Sequence, residues 1–275
     1  MRHVVRYTLL ISILVLSSAV LHSCAGPPAL RAPEAPTGPH LTVLTYNVNW
    51  GMPARRKTLA LIQKADADIV CLQETTPGWE VFLRARLKDM YPHIRFRHYR
   101  GAGGQAVLSK HPFEERHYFI PEGGWFHGWV NEVQTSLGPL QVMSLHLHPA
   151  LNEQGEFSVR AYLATKKTRL KEIQTLYPVL GNTVPTLVLG DFNEGDTGAA
   201  VEWLCSKKGF TNALSEFDRD SYTWRWRTKL ITFQKRFDHI LYSKELRCLS
   251  AKVVQEGGSD HFPIRAVFEK RAIAR

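Results

Sequence analysis

Apolar positions along this chain fall into short runs that repeatedly end in polar residues. The sharpest is Val184-Pro185-Thr186-Leu187-Val188-Leu189-Gly190-Asp191-Phe192-Asn193-Glu194. It predicts a buried strand that delivers Asp191 and Asn193 to one face at its carboxyl end, because side chains alternate along a strand. Residues 41–51 alternate in the same way, place Asn47 and Asn49 together and stop at Gly51; residues 68–74 form a second apolar strand closing on Glu74. Residues 130–136 and 140–147 read as an antiparallel hairpin turned by Gly138-Pro139, with His146 and His148 of one parity. Residues 234–242 make a further strand in which Asp238 and His239 alternate, so only one of them faces the core side. A last strand at 264–268 follows the loop Gly257-Gly258-Ser259-Asp260-His261.

Helical periodicity covers residues 53–65, 79–90, 157–176 and 197–207. In the third of these, Lys166, Lys167, Arg169 and Lys171 most simply form the solvated side. Two glycine-containing loops interrupt the pattern. Residues 101–104 turn into a strand, and residues 121–129 mix glycine with Trp125, Phe126 and Trp129, as a substrate-facing rim or as packing under a hairpin.

The amino terminus is an address. Arg2 and Arg6 precede an uncharged apolar stretch at residues 8–20, the pattern of a secretory signal over residues 1–23. The run is shorter than the ~20 residues a membrane-spanning helix needs. Leu21-His22-Ser23-Cys24 resembles the bacterial lipoprotein box, with His22 where a small residue is usual. Acylation at Cys24, ordinary cleavage and an uncleaved anchor all stay open, and each implies secretion or a place in the cell envelope. Pro27, Pro28, Pro33, Pro36 and Pro39 mark residues 24–39 as an extended tether, leaving 40–275 as one domain.

Composition adds two constraints. The 275 residues are 44% hydrophobic, enough for a full core, and carry a formal charge of +10 that stays positive without Arg2 and Arg6. A basic surface points to an anionic partner, whether nucleic acid, acidic lipid headgroup or phosphorylated metabolite. Among the cysteines, Cys71 reads as a buried thiol, Cys205 and Cys248 could pair in an oxidising compartment, and no spacing suits zinc.

The polar strand ends carry the chemistry. A carboxylate beside a carboxamide in Gly-Asp-x-Asn suits a phosphoester, although a simple turn explains the same four residues as well. The Asp260-His261 pair suits a general base oriented by carboxylates. Taken in order, Tyr46-Asn47-Val48, Leu72-Gln73-Glu74, Gly104-Gln105-Ala106-Val107-Leu108-Ser109-Lys110, His146-Leu147, Gly190-Asp191-Phe192-Asn193, Phe237-Asp238-His239-Ile240-Leu241 and Ser259-Asp260-His261-Phe262-Pro263 resemble the endonuclease/exonuclease/phosphatase superfamily, the DNase I-like metal-dependent phosphoesterases. The resemblance runs from about residue 41 to 268.

It implies an α/β fold, a four-layer α/β/β/α sandwich of two mixed sheets, and a monomer. It also implies Glu74 as principal ligand of Mg²⁺ or Mn²⁺, with Asn47 beside it and Asp260 on the same or a second ion. Asp191 and Asn193 would orient the nucleophile and the phosphoryl oxygens. His261 would be a general base or a proton-bearing stabiliser held by Asp238, and His146 a second catalytic histidine. Asn49 stands where several nuclease members carry an acid, which counts against a two-metal site. For substrate, the basic charge and the run Trp224-Arg225-Trp226-Arg227 favour a nuclease, with Trp224, Arg225 and Arg227 touching nucleic acid. A membrane anchor and the 125–129 aromatics favour a phospholipid-, sphingomyelin- or inositol-phosphate-type phosphoesterase. A non-catalytic binding module on the same fold is the third reading.

Overall fold

A computed structural model describes residues 29–151, 158–181, 183–227 and 231–272. The signal stretch and Cys24 lie outside the described residues. In chain order the strands are β1 (Leu41–Asn47), β2 (Ile69–Gln73), β3 (His93–Arg97), β4 (Gln105–Ser109), β5 (Phe113–Phe119), β6 (Gly128–Thr135) and β7 (Gly138–His146). They continue with β8 (Thr186–Asp191), β9 (Thr211–Asn212), β10 (Trp224–Arg227), β11 (Thr232–Lys235), β12 (Asp238–Tyr242), β13 (Leu246–Val253) and β14 (Ile264–Lys270). The helices are α1 (Arg55–Ala65), α2 (Pro77–Leu87), α3 (Val159–Ala164), α4 (Lys166–Leu176) and α5 (Ala199–Lys208).

Two six-stranded sheets run in the orders β13-β14-β1-β2-β4-β3 and β5-β6-β7-β8-β12-β9, while β10 and β11 form a separate hairpin. Both large sheets are mixed, with β1–β2 and β7–β8 parallel among otherwise antiparallel pairs. Alternation builds the layers. Val43, Ile69 and Val107 face Val142, Leu187 and Ile240 in the core between the sheets. The opposite parity of the first sheet, Leu44, Val70 and Leu72, packs under Ile62 of α1 and Trp79 and Leu83 of α2. Met143, Leu145 and Val188 of the second sheet pack under Ile173 of α4 and Leu204 of α5. Burial of both sheet faces explains why the strands read as near-continuous apolar runs.

Register sets the site. His146 lies opposite Asp191, and Asp191 opposite Asp238, so three neighbouring strands bring their polar ends to one level. Gly190 (φ 135°) is needed at this level, because a Cβ there would run into the Leu145 carbonyl.

Three expectations change. The helix expected over 157–176 breaks at Thr165 into α3 and α4. Arg169, expected on the solvated side, is 1% exposed. It pairs with Glu194 Oε2 at 3.1 Å and also donates to Thr165 Oγ1 and the Tyr162 carbonyl. A basic residue in a basic helical run looks solvated until a buried acid from another segment meets it, and Glu194 comes from the loop after β8. Its Oε1 accepts from the Ala200 and Val201 N–H groups and so caps α5. Cys205 and Cys248 are free thiols, one against the α4–α5 layer and the other in the core between the sheets. The proline-rich segment is docked where it is described: Arg31 N–H donates to the Glu216 carbonyl and Glu34 N–H to the Leu249 carbonyl.

Candidate active site

The carboxyl ends of β1, β2, β7 and β8, the start of β12 and the loop before β14 converge on one cleft. Chain direction leaves strand geometry there: Asn49, Glu74 and Asn193 all adopt positive φ, at 56°, 63° and 52°. Such residues cost on the order of 1 kcal/mol each and persist only where surrounding contacts hold them.

Asp191 Oδ2 is the hub. Asn47 Nδ2 donates to it at 3.0 Å and to Glu74 Oε1 at 2.8 Å. His146 Nε2 stands 3.5 Å from the same oxygen and 4.0 Å from Glu74 Oε1, and His261 Nε2 stands 3.6 Å from it. Asp191 Oδ1 accepts from Asn193 N–H at 2.8 Å, and Asn193 Nδ2 donates to the Leu147 carbonyl. Behind His261, Asp238 Oδ2 lies 2.8 Å from Nδ1. Of the alternating pair at 238–239, Asp238 is the one that meets the site; His239 turns to Glu194 and Asn212.

The two site histidines carry opposite charge preferences. Burial lowers the pKa of His146, more than the nearby Glu74 carboxylate raises it. Neutral His146 donates Nδ1–H to the Ala102 carbonyl at 3.3 Å, which leaves the Nε2 lone pair facing Asp191 and Glu74. Burial also acts against a charge on His261, but Asp238 and Asp191 outweigh it, and its pKa rises well above the usual imidazole range. Burial pushes Asp191 up to about 7, with His261 opposing and Asp238 adding to the shift.

Glu74, His146 and Asp191 thus present three lone-pair atoms within 4.8 Å of one another, a donor set for a cation. Two carboxylate oxygens among them fit a hard ion. Asn47 here offers amide hydrogens to the two acids while its Oδ1 accepts from Asn49 N–H, so ligation by Asn47 requires its amide to turn over. Asp260, expected on the metal, has both oxygens engaged: Oδ1 by Asn49 Nδ2 at 2.6 Å and Ser259 Oγ, Oδ2 by Trp224 Nε1 at 3.1 Å. Asn49 donates here, which an acid in its place could not do. Burial opposes ionisation of Asp260, yet the His261 charge and these donors bring its pKa below the usual range.

The cleft encloses about 590 Å³, within the range of small-ligand sites. Its floor holds Glu74, His146, Asp191, Asn193, Asp260 and His261, and its walls are mainly aromatic, with no Lys or Arg among the described lining residues. Strand alternation sorts the Trp-Arg run. Trp224 and Trp226 line the cleft, but Trp224 is buried and stacked on Phe237 at 4.9 Å. Arg225 lies over the Phe262 ring on the other face, and Arg227 is exposed outside the lining. In the 125–129 loop, Trp125 and Phe126 reach the cleft while Trp129 is fully buried beneath.

Two contributors escaped the sequence. Tyr46 Oη accepts from the Gly258 and Ser259 N–H groups and so seats the loop that carries His261. Thr223 ties that loop to Asp238: its carbonyl accepts from Phe262 N–H and its Oγ1 from Asp238 N–H. Neither contact leaves a local pattern, since each joins segments far apart in the chain.

The family model described as Endonuclease/Exonuclease/phosphatase family matches residues 44–261. No curated protein matches the sequence. Among solved structures, humanized D. rerio TDP2 superposes with a TM-score of 0.65 at 16% identity, over 84% of this chain and 99% of that one. D. rerio TDP2 complexed with single strand DNA product gives 0.63 at 17% identity, over 84% and 99%. A mannosyl-6-phosphatase of Bacteroides thetaiotaomicron VPI-5482 gives 0.57 at 17% identity, over 83% and 99%.

Proposed function

Because the chain belongs to the endonuclease/exonuclease/phosphatase family, whose members hydrolyse phosphoesters, we propose that it is a phosphodiesterase that uses a divalent cation, Mg²⁺ or Mn²⁺, and attacks phosphorus in line with water. The observation that carries this is the composition of the cleft. A phosphate entering it meets three acids and two histidines and no described Lys or Arg, so its charge needs a bound cation and a protonated His261.

Glu74 Oε1, His146 Nε2 and Asp191 Oδ2 would hold the cation. Bound there, it would supply Lewis acidity and lower the pKa of water. His261 holds a proton at Nε2 for the phosphoryl or leaving-group oxygen, which favours the proton-bearing role over that of a resting base. Asp238 fixes the ring through Nδ1, and Asp260 adds negative charge that keeps it protonated. Asn193 has one amide hydrogen on Leu147 and a second available to a phosphoryl oxygen. The occupied donor and acceptor positions weigh against a binding module without chemistry.

Two substrate classes have support. Nucleic acid is favoured by the net charge of +10 and by the likeness to TDP2 complexed with a single strand DNA product. A phosphoester at a lipid surface is favoured by the aliphatic side chains exposed around the cleft and by the placement of Arg225 outside it. The reaction itself is tested on soluble bis(p-nitrophenyl) phosphate with EDTA and with Mg²⁺ or Mn²⁺ restored. Hydrolysis that stops in EDTA and returns with the cation supports the proposal; hydrolysis that continues in EDTA overturns it.

A further inference from the structure

Exposed large apolar side chains gather on four segments around the cleft. Trp50, which lines the mouth, is followed by Met52; Trp125 stands on the opposite loop; α3 exposes Leu163; and the β10–β11 hairpin exposes Trp226 and Ile231. Helix α3 belongs to this rim because Ser158 N–H donates to the carbonyl of cleft-lining Ala150 and Tyr162 stacks on cleft-lining Phe237. Scattered exposed apolar residues need no explanation, but a cluster around a site marks an interaction surface.

On three of these segments the charges have one sign, and on the Trp125 loop the acid Glu122 is paired with Lys171 of α4. Arg55, Arg56 and Lys57 follow Met52, Lys166 and Lys167 follow α3, and Arg225, Arg227 and Lys235 lie on the hairpin. No acid occurs in residues 49–65, 158–171 or 221–237. The partner is therefore anionic and has apolar matter to offer. Bases could stack on the tryptophans. They have little to give Met52, Leu163 and Ile231, which are aliphatic and 68%, 64% and 55% exposed. Acyl chains suit such side chains, tryptophan favours the membrane interface, and basic residues near it gain from anionic headgroups.

We propose that this rim seats the domain on an anionic lipid bilayer, so that the cleft opens onto phosphoesters presented at the lipid surface. The inference rests on the phosphodiesterase reading for its substrate, while the docking itself needs neither cation nor turnover.

The rim provides its own probe. Trp50 is the first tryptophan of the chain, so quenching of tryptophan fluorescence by brominated acyl chains reports the domain and not an amino-terminal anchor. The full chain is mixed, in EDTA, with brominated vesicles of phosphatidylcholine with and without phosphatidylserine, and separately with single-stranded oligonucleotide. Quenching by the anionic vesicles is expected, with partitioning weakened by at least about tenfold in M52E/I231E, since each substitution withdraws an aliphatic side chain from the acyl region and adds a charge of the headgroups' own sign. Absence of quenching by anionic vesicles in the parent chain overturns the proposal, whatever the variant does. Equal partitioning of a folded M52E/I231E overturns it too, as does saturable binding of oligonucleotide in place of vesicles. Hydrolysis of soluble bis(p-nitrophenyl) phosphate is read independently, so failure of docking and failure of the reaction are told apart.

Discussion

Thr223 holds Asp238 from behind: its Oγ1 accepts the N–H of Asp238 at 3.0 Å and that of Phe237 at 2.9 Å. The Thr223 carbonyl accepts from Phe262 N–H at 2.6 Å, next to His261. One fully buried residue thus registers both members of the Asp238–His261 pair, Asp238 through its side chain and the His261 loop through its carbonyl.

Thr223→Val removes the acceptor at nearly constant volume and leaves two buried N–H groups unsatisfied, at a cost of ~1–3 kcal/mol each. Turnover should fall, and the pH profile of kcat/KM should move as Asp238 loosens from His261. Thr223→Ser should restore both. A profile identical to that of the parent chain would show that the contact is structural only.

His261→Ala should lower turnover by ~10²–10⁴-fold, the usual contribution of a placed acid or base. Asp238→Asn keeps the shape but withdraws the largest charge favouring His261 protonation, so its imidazole pKa should fall. NMR titration of the ring reads this directly, and a pKa that stays in place contradicts the assigned pairing.

The Arg169–Glu194 pair is almost wholly buried. Glu194→Gln should destabilise the fold by ~3–5 kcal/mol, because it leaves a guanidinium buried without its counter-charge. Urea unfolding followed by circular dichroism checks the figure, and a loss under about 1 kcal/mol would mean the pair behaves as a surface one.

Glu172 lies under the cleft wall, where its Oε2 accepts from His148 N–H at 2.8 Å. Burial pushes its pKa from 4.5 up to about 7. The folded chain therefore binds a proton that the unfolded chain has released across that window, and stability contributed by Glu172 is present below the lower value and lost as pH rises through the upper one. Melting temperature should decline between pH 4.5 and about 7, and Glu172→Gln should flatten that part of the curve. An unchanged slope contradicts the assignment.

What was legible in the sequence follows from what is local. Strand ends at Asn47, Glu74, His146 and Asp191 could be read because period-two burial and a terminal polar residue leave a pattern within one segment. The sandwich of two mixed sheets and the family assignment came from the order of those ends. Arg169 was misplaced because its partner Glu194 comes from the loop after β8. Of the residues expected to meet substrate, alternation in β10 puts Trp224 on the cleft, packed on Phe237, and leaves Arg225 and Arg227 outside its lining. Which strand face meets a cleft depends on what lies beyond the strand, and neighbouring residues do not encode it.

The central claim is that Glu74, His146 and Asp191 form one cation site on which phosphoester hydrolysis depends. Calorimetric titration of Mn²⁺ into the parent chain and into Glu74→Gln tests it most directly. The parent should show a saturable site, and the variant should bind at least about tenfold more weakly, since even groups that merely orient ligands are worth 10–100-fold in affinity. Equal Mn²⁺ affinity in the two proteins would contradict the account.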